Sequence, residues 1–167
     1  GALSIRRNDA LTNLEGLNHI TSVEGTLSIE SNDALTNLEG LNNITSVGGG
    51  IVIWWNGALT YLEGLNNITS VEGSLSIGCN VALTNLEALN NITSVGGTLS
   101  IESNDALTVL GLSSLNSVGD DFNIYKNIKL CKNLAKELRD QVLSGGGIGG
   151  KIYIYNTEPY LRIHVLS

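Results

Sequence analysis

A glycine opens the same frame at Gly1, Gly25, Gly49, Gly73 and Gly97, 24 residues apart each time. Units of this length are too small to bury an apolar face alone, so a fixed period dictates stacking before any local pattern is read. In the second unit, Gly25 to Gly48, the apolar positions are Leu27, Ile29, Leu35, Leu38, Leu41, Ile44 and Val47. Leu27 and Ile29 stand two apart, which is strand spacing. From Leu35 the gap becomes three, predicting a tight, non-helical and irregular return path with one side turned inward. Between the two regimes sits Asn32, repeated as Asn8, Asn56, Asn80 and Asn104. An inward asparagine has donors and an acceptor, so it can bridge the backbone of its own coil and the next and offset its burial.

The coils run Gly1–Glu24, Gly25–Gly48, Gly49–Glu72, Gly73–Gly96 and from Gly97, with one residue lost between Leu110 and Leu112. Phe122, Ile124 and Asn127 continue the frame as a sixth strand. Leu130, Leu134, Leu138 and Val142 then recur every four residues, with Ala135 and Leu143 beside them. Lys132, Lys136, Glu137, Arg139 and Asp140 fall on the other side, the pattern of an amphipathic helix of roughly three turns. A glycine run ends it. Ile152 and Ile154 predict another strand, and Leu161, Ile163 and Val165 a further edge strand. We read 1–167 as one domain, with five coils over 1–120 and the sixth strand, capping helix and terminal strands over 121–167.

The repeated L-x-I-x-x-N-x-x-L-x-x-L-x-x-L-x-x-[IL]-x-x-V frame resembles a leucine-rich-repeat variant, the receptor L-domain. The ending is similar too: Asn127 to Cys131, a helix, a glycine-rich turn, then Lys151 to Asn156. The resemblance covers nearly the whole chain and implies a right-handed leucine-rich-repeat or β-helical solenoid, mainly β, with one C-terminal capping α-helix. It also implies a secreted or cell-surface setting and non-catalytic recognition or adhesion, and the near-identical coils look like the bacterial surface-protein type. In the family's receptors the cap cysteine pairs with a cysteine past the last strand. Here Thr157, Glu158 and Pro159 follow instead, so Cys131 is expected as a free, half-buried thiol.

Charge narrows the partners. A net charge of −7 argues against nucleic acid and anionic membranes, which call for basic surfaces. No run of 18 apolar residues is present to insert in a membrane. Gly1 opens in mid-repeat, which we read as an end cut from something longer or covered by another surface. That bare coil offers an end-to-end self-association surface, unless Arg6 and Arg7 keep it soluble.

The coils supply their own comparison, because outward strand positions vary while the frame does not. After the second strand apolar come Arg6-Arg7, Glu30-Ser31, Trp54-Trp55, Gly78-Cys79, Glu102-Ser103 and Tyr125-Lys126. Val52 replaces the serine of Ser4, Ser28, Ser76 and Ser100. Drift explains Gly78 or Ser103, but adjacent tryptophans on a surface strand point to binding. Trp54 is expected to project with its ring face left open by Gly78. In the competing view it lies flat over Ser28 and Ser76 while Trp55 tucks into the corner. The candidate ligand-binding residues are Arg6, Glu30, Val52, Trp54, Trp55, Tyr125 and Tyr153, with Tyr155 nearby. Rings beside Asn, Ser and Glu suit a protein or a carbohydrate ligand.

Other patterns carry less. Columns at Thr12, Thr36, Thr60, Thr84 and Thr108, and at Thr21, Thr45, Thr69 and Thr93, suggest a water-ordering, ice-binding array, or hydroxyls that satisfy corner backbone. A structural spacer in a larger surface protein is the remaining alternative. The Glu15, Glu39, Glu63 and Glu87 ladder would hold calcium only with oxygen ligands converging from several directions; we read it as a solvated charged edge and expect no metal or cofactor. Gly145 to Lys151 fits G-x-x-x-x-G-K, but Ile152 replaces the required Ser/Thr and a strand follows. His19 and His164 have no partner at motif spacing, and no nucleophile–base pair suggests an enzyme. Asn43, Asn67 and Asn91 each begin N-I-T, an acceptor sequence for glycosylation as well as a repeated corner.

Overall fold

The computed structural model describes residues 1–155. The predicted edge strand at Leu161, Ile163 and Val165, with His164, lies outside the described residues. The strands are β1 (Leu3–Arg6), β2 (Ser22–Val23), β3 (Leu27–Glu30), β4 (Ser46–Val47), β5 (Ile51–Trp54), β6 (Ser70–Val71) and β7 (Leu75–Gly78). They continue as β8 (Ser94–Val95), β9 (Leu99–Glu102), β10 (Ser117–Val118), β11 (Phe122–Tyr125), β12 (Gly147–Ile148) and β13 (Ile152–Tyr155). One α-helix, α1 (Lys132–Ser144), stands between β11 and β12. The odd-numbered strands form a seven-stranded parallel sheet in the order β1-β3-β5-β7-β9-β11-β13. Each residue pairs with its repeat equivalent, as Leu27 with Ile51 and Ile29 with Ile53. This is the β-solenoid that the period predicts.

All the apolar positions of the second unit are buried, and so are their equivalents in coils three and four. The asparagine ladder holds the corner between strand and return path. Asn56 donates from its amide side chain to Ile29 O (3.0 Å) in the coil below and to Trp54 O (3.1 Å) in its own. Its backbone N–H donates to Asn80 Oδ1 (3.0 Å) in the coil above. Asn32, Asn56, Asn80, Asn104 and Asn127 are fully buried, whereas Asn8, at the end of the stack, is exposed.

The return path is more regular than its spacing predicts. A second parallel sheet, six-stranded, stacks the two-residue strands in the order β12-β10-β8-β6-β4-β2, with each valine inside. Glu15–Leu17, Glu39–Leu41 and Glu87–Leu89 form single 3₁₀ turns. A 3₁₀ helix repeats every three residues, so this turn fits one step of the three-residue spacing within an otherwise irregular path. Coils three and five depart from it. In coil three, Gly64 takes φ +115°, and a Cβ there would meet Leu38 O at 1.8 Å; the Glu63 carbonyl accepts from Leu38 N–H (3.1 Å) in the coil below.

Helix α1 takes the place of the last return path. Ala135, Leu138 and Val142 are buried against the coil below, and Gln141 Nε2 donates to the Leu115 carbonyl (2.7 Å) that no further coil reaches. Leu143, expected beside the apolar stripe, is exposed, because its position rotates off the buried face. Cys131 is exposed rather than half-buried: it precedes the helix, outside the strand-bounded interior. At the opposite end Leu3, Ile5, Leu11, Leu17 and Ile20 are only partly covered, so the first coil presents a bare apolar end.

Candidate functional site

Three outward columns run up the larger sheet and its border. The first is Ser4, Ser28, Val52, Ser76, Ser100, Asn123 and Tyr153; the second is Arg6, Glu30, Trp54, Gly78, Glu102, Tyr125 and Tyr155. The third is the residue at which the chain leaves the sheet: Arg7, Ser31, Trp55, Cys79, Ser103 and Lys126, all with φ between 55° and 56°. Left-handed backbone costs roughly 1–2 kcal/mol per non-glycine residue. Here inter-coil hydrogen bonds offset it, as Trp55 N–H donates to Gly78 O at 3.1 Å and Ser31 N–H to Trp54 O at 3.0 Å.

The tryptophans divide between the two expectations. Trp54 does not project with an open face: its indole leans over Gly78, where a Cβ would stand 2.8 Å from Cε2, and Nε1 donates to Ser76 Oγ at 2.8 Å. The absence of a side chain on Gly78 makes room for the ring rather than exposing it. Trp55 does not tuck into the corner. It is 52% exposed and meets Trp54 edge to face, with centroids 5.0 Å apart at 62°. The left-handed turn throws its side chain outward, and the Trp54 ring occupies the space over the sheet.

Beside Trp55 a cleft of about 410 Å³ is lined by Arg6, Arg7, Glu30, Ser31 and Trp55. Arg6 pairs with Glu30 (2.9 Å), and its Nε donates to Ser28 Oγ (3.0 Å). Arg7 pairs with no acid among the described residues. Arg7 and Ser31 are among the variable outward positions of the sequence but not among its candidate binding residues; their shared column with Trp55 is the signal that finds them.

Tyr125 and Tyr153 belong to a separate group. Three strand steps, roughly 14 Å, separate β5 from β11, so one small ligand does not span both. Tyr125 stacks on Tyr155 (4.9 Å, 8°), with Lys126 Nζ 5.7 Å from its ring centre. Burial, and then the Glu102 carboxylate, push the Tyr125 hydroxyl up to about 12. Tyr153 pairs in register with Asn123, whose Oδ1 is buried without a partner. Val52, half-buried, lies between the serines of its column.

The threonine columns are tied into the backbone. Thr60, Thr84 and Thr108 each donate Oγ1 to the threonine carbonyl of the coil below, at 3.3 Å. The N-I-T asparagines do the same from their amides, as Asn67 to Asn42 O and Asn91 to Asn66 O, both 2.7 Å. No cluster of three or more His, Cys, Asp or Glu side chains suits a metal ion, and no helix is long and apolar enough to cross a membrane, among the described residues.

The family model described as Receptor L domain matches residues 45–142, more than half of the chain. The chain belongs to the receptor L-domain family. The match takes in Trp54, Trp55 and Tyr125 but not Arg6, Arg7, Glu30 or Ser31, so the cleft joins the matched segment to the two coils before it. No curated protein and no solved structure matches the chain. Receptor L domains are non-catalytic ligand-binding modules of extracellular proteins. At the Trp54–Trp55 corner of this receptor L domain an exposed indole meets Arg7, which pairs with no acid among the described residues.

Proposed function

We propose that this receptor L domain is a recognition and adhesion module at a cell surface, of bacterial type, that binds a protein ligand at the corner between the large sheet and its left-handed border. The observation that carries the reading is Trp55, which is 52% exposed and braced by Trp54. An exposed indole is costly in a border column that otherwise holds arginine, serine, cysteine and lysine, and tryptophan is among the residue types most enriched at binding hot spots. Arg6 and Glu30 set the polarity around it, and Val52 extends its apolar border. A protein suits the corner better than a sugar, because the two indoles meet edge to face and leave no continuous flat platform.

Cell-surface protein and glycan arrays probed with the wild type and with Trp55→Ala test this reading, with circular dichroism confirming that both are folded. A protein signal lost in the variant supports it; a signal of equal strength in both rejects the corner, and a glycan-only signal rejects the protein ligand.

A subsidiary reading concerns the bare first coil, where Leu3, Ile5, Leu11, Leu17 and Ile20 are partly exposed. End-to-end self-association through that face predicts a mass that rises with concentration in analytical ultracentrifugation and falls to monomer in Leu11→Glu. A concentration-independent monomer rejects it.

A further inference from the structure

From Gly1 to Tyr125 the only lysine or arginine side chains are Arg6 and Arg7, in a stretch that carries most of the acidic residues of a chain of net charge −7. Those two arginines sit at the tryptophan corner. Arg6 is neutralised by Glu30, and Ser28 also bonds it. Arg7 pairs with no acid among the described residues, which leaves the cleft one net positive charge on an acidic solenoid.

Its place in the border column gives the cleft a shape. Arg7, Ser31 and Trp55 occupy the same left-handed position in three successive coils, so adjacent members are about 4.8 Å apart and the outer two roughly 9.6 Å. Arg7 and Trp55 are long and Ser31 is short. The result is a slot with a guanidinium on one wall, an indole on the other and a hydroxyl on the floor, bordered by the mutually neutralised Arg6–Glu30 pair. A guanidinium binds carboxylate through two parallel hydrogen bonds, the serine hydroxyl can donate a third, and the indole face takes aliphatic groups.

One common side chain has this sequence of groups. A glutamate carries methylenes for the indole and a carboxylate for the guanidinium, and its length matches a slot one strand wide. We propose that the slot of Arg7, Ser31 and Trp55 receives a glutamate side chain of the bound protein. The proposal rests on the reading of this corner as a protein-binding site and adds the chemistry of the group it captures. Aspartate is one methylene shorter and reaches only one wall at a time. Amides lack the charge that Arg7 answers.

The chain's only tryptophans are Trp54 and Trp55, so emission excited selectively in tryptophan reports on this corner alone. The wild type is titrated at low ionic strength with an N-acetylated, C-amidated hexapeptide carrying one glutamate among alanines. The same peptide with glutamine, and the methyl glycoside of N-acetylneuraminic acid, are titrated in parallel. The glutamate peptide is expected to change the emission saturably. Its glutamine twin should bind at least about tenfold more weakly, the loss expected for a charge-assisted hydrogen bond. Arg7→Gln should remove the preference for glutamate while the circular dichroism spectrum is retained, and Ser31→Ala should reduce it.

Equal binding of the two peptides, or an undiminished preference in Arg7→Gln, overturns the proposal. So does saturation by the sugar acid with none by the peptide. The two readings separate cleanly. An array partner that is lost in Trp55→Ala but indifferent to Arg7→Gln keeps the corner and removes the glutamate slot. Glutamate-selective binding by a domain whose array partner ignores Trp55→Ala keeps the slot and removes the corner as the partner's site.

Discussion

Gly78 lies under the indole of Trp54: a Cβ built on the glycine would stand 2.8 Å from Cε2 and Cζ2 of the ring, which also donates to Ser76 Oγ. The two positions are register partners on β5 and β7, so the glycine in one coil dictates how the tryptophan in the other can lie. Gly78→Ala is expected to lift the indole, shift tryptophan emission to the red and cost roughly 1–3 kcal/mol, the range for overpacking. In Trp54→Ala the same glycine substitution should cost almost nothing, since the clash has no partner. Urea unfolding of the four proteins of this double-mutant cycle gives the coupling; strict additivity would show that the ring does not rest on Gly78.

The asparagine ladder predicts a contrast between the end and the middle of the stack. Asn56→Ala leaves the buried Asn32 backbone N–H without its acceptor and takes the side-chain donor from the Ile29 carbonyl. At about 1–3 kcal/mol for an unsatisfied buried group, the loss should be about 1–3 kcal/mol. Asn8 is exposed, and its side chain donates only to Arg6 O and Asn32 Oδ1, so Asn8→Ala should cost less than about 1 kcal/mol. Similar midpoints for the two variants would remove the ladder as the element that joins the coils.

These contrasts also mark what the residues themselves reveal. The 24-residue frame places Leu27, Ile29 and Asn32 in the interior and Trp54 outside it, because period and polarity are local properties of the chain. The 3₁₀ turn at Glu39–Leu41 shares its three-residue spacing with an irregular coil, and a two-residue strand such as Ser46–Val47 is too short to alternate. The left-handed border was hidden for another reason. Arginine, serine, tryptophan and cysteine do not favour positive φ, so that conformation is imposed by closing each coil onto its neighbour. The outward turn of Trp55 follows from it, as does the slot beside Arg7.

Tyr125 gives a pH prediction. Its hydroxyl is pushed from 10.0 to about 12, first by burial and then by the Glu102 carboxylate. The folded chain keeps this group neutral to higher pH than the unfolded chain does. Its contribution to stability is therefore complete below pH 10 and is lost as pH rises through 12. Absorbance titration at 295 nm should show one late tyrosine that disappears in Tyr125→Phe. Glu102→Gln should lower its transition while leaving it above the ordinary value, since burial persists. A titration in which all tyrosines ionise together would contradict the stacked, half-buried Tyr125.

The cysteines differ in the same legible way. Cys131 is exposed, whereas Cys79 is half-buried and its thiol is pushed up by burial and then by Glu102. A thiol reagent at pH 8 should label in two phases of equal amplitude. Cys131→Ser should remove the fast one, because the thiolate is the reacting form. Loss of the slow phase instead would place the exposed thiol on the sheet border.

The most direct measurement is oxidative footprinting of the complex with the cell-surface protein that the array returns. Protection is expected at Trp55, with Tyr61 and Ile128, both exposed elsewhere on the solenoid, labelled as in the free domain. Protection of those residues or of helix α1, with Trp55 still fully reactive, would contradict recognition at the tryptophan corner.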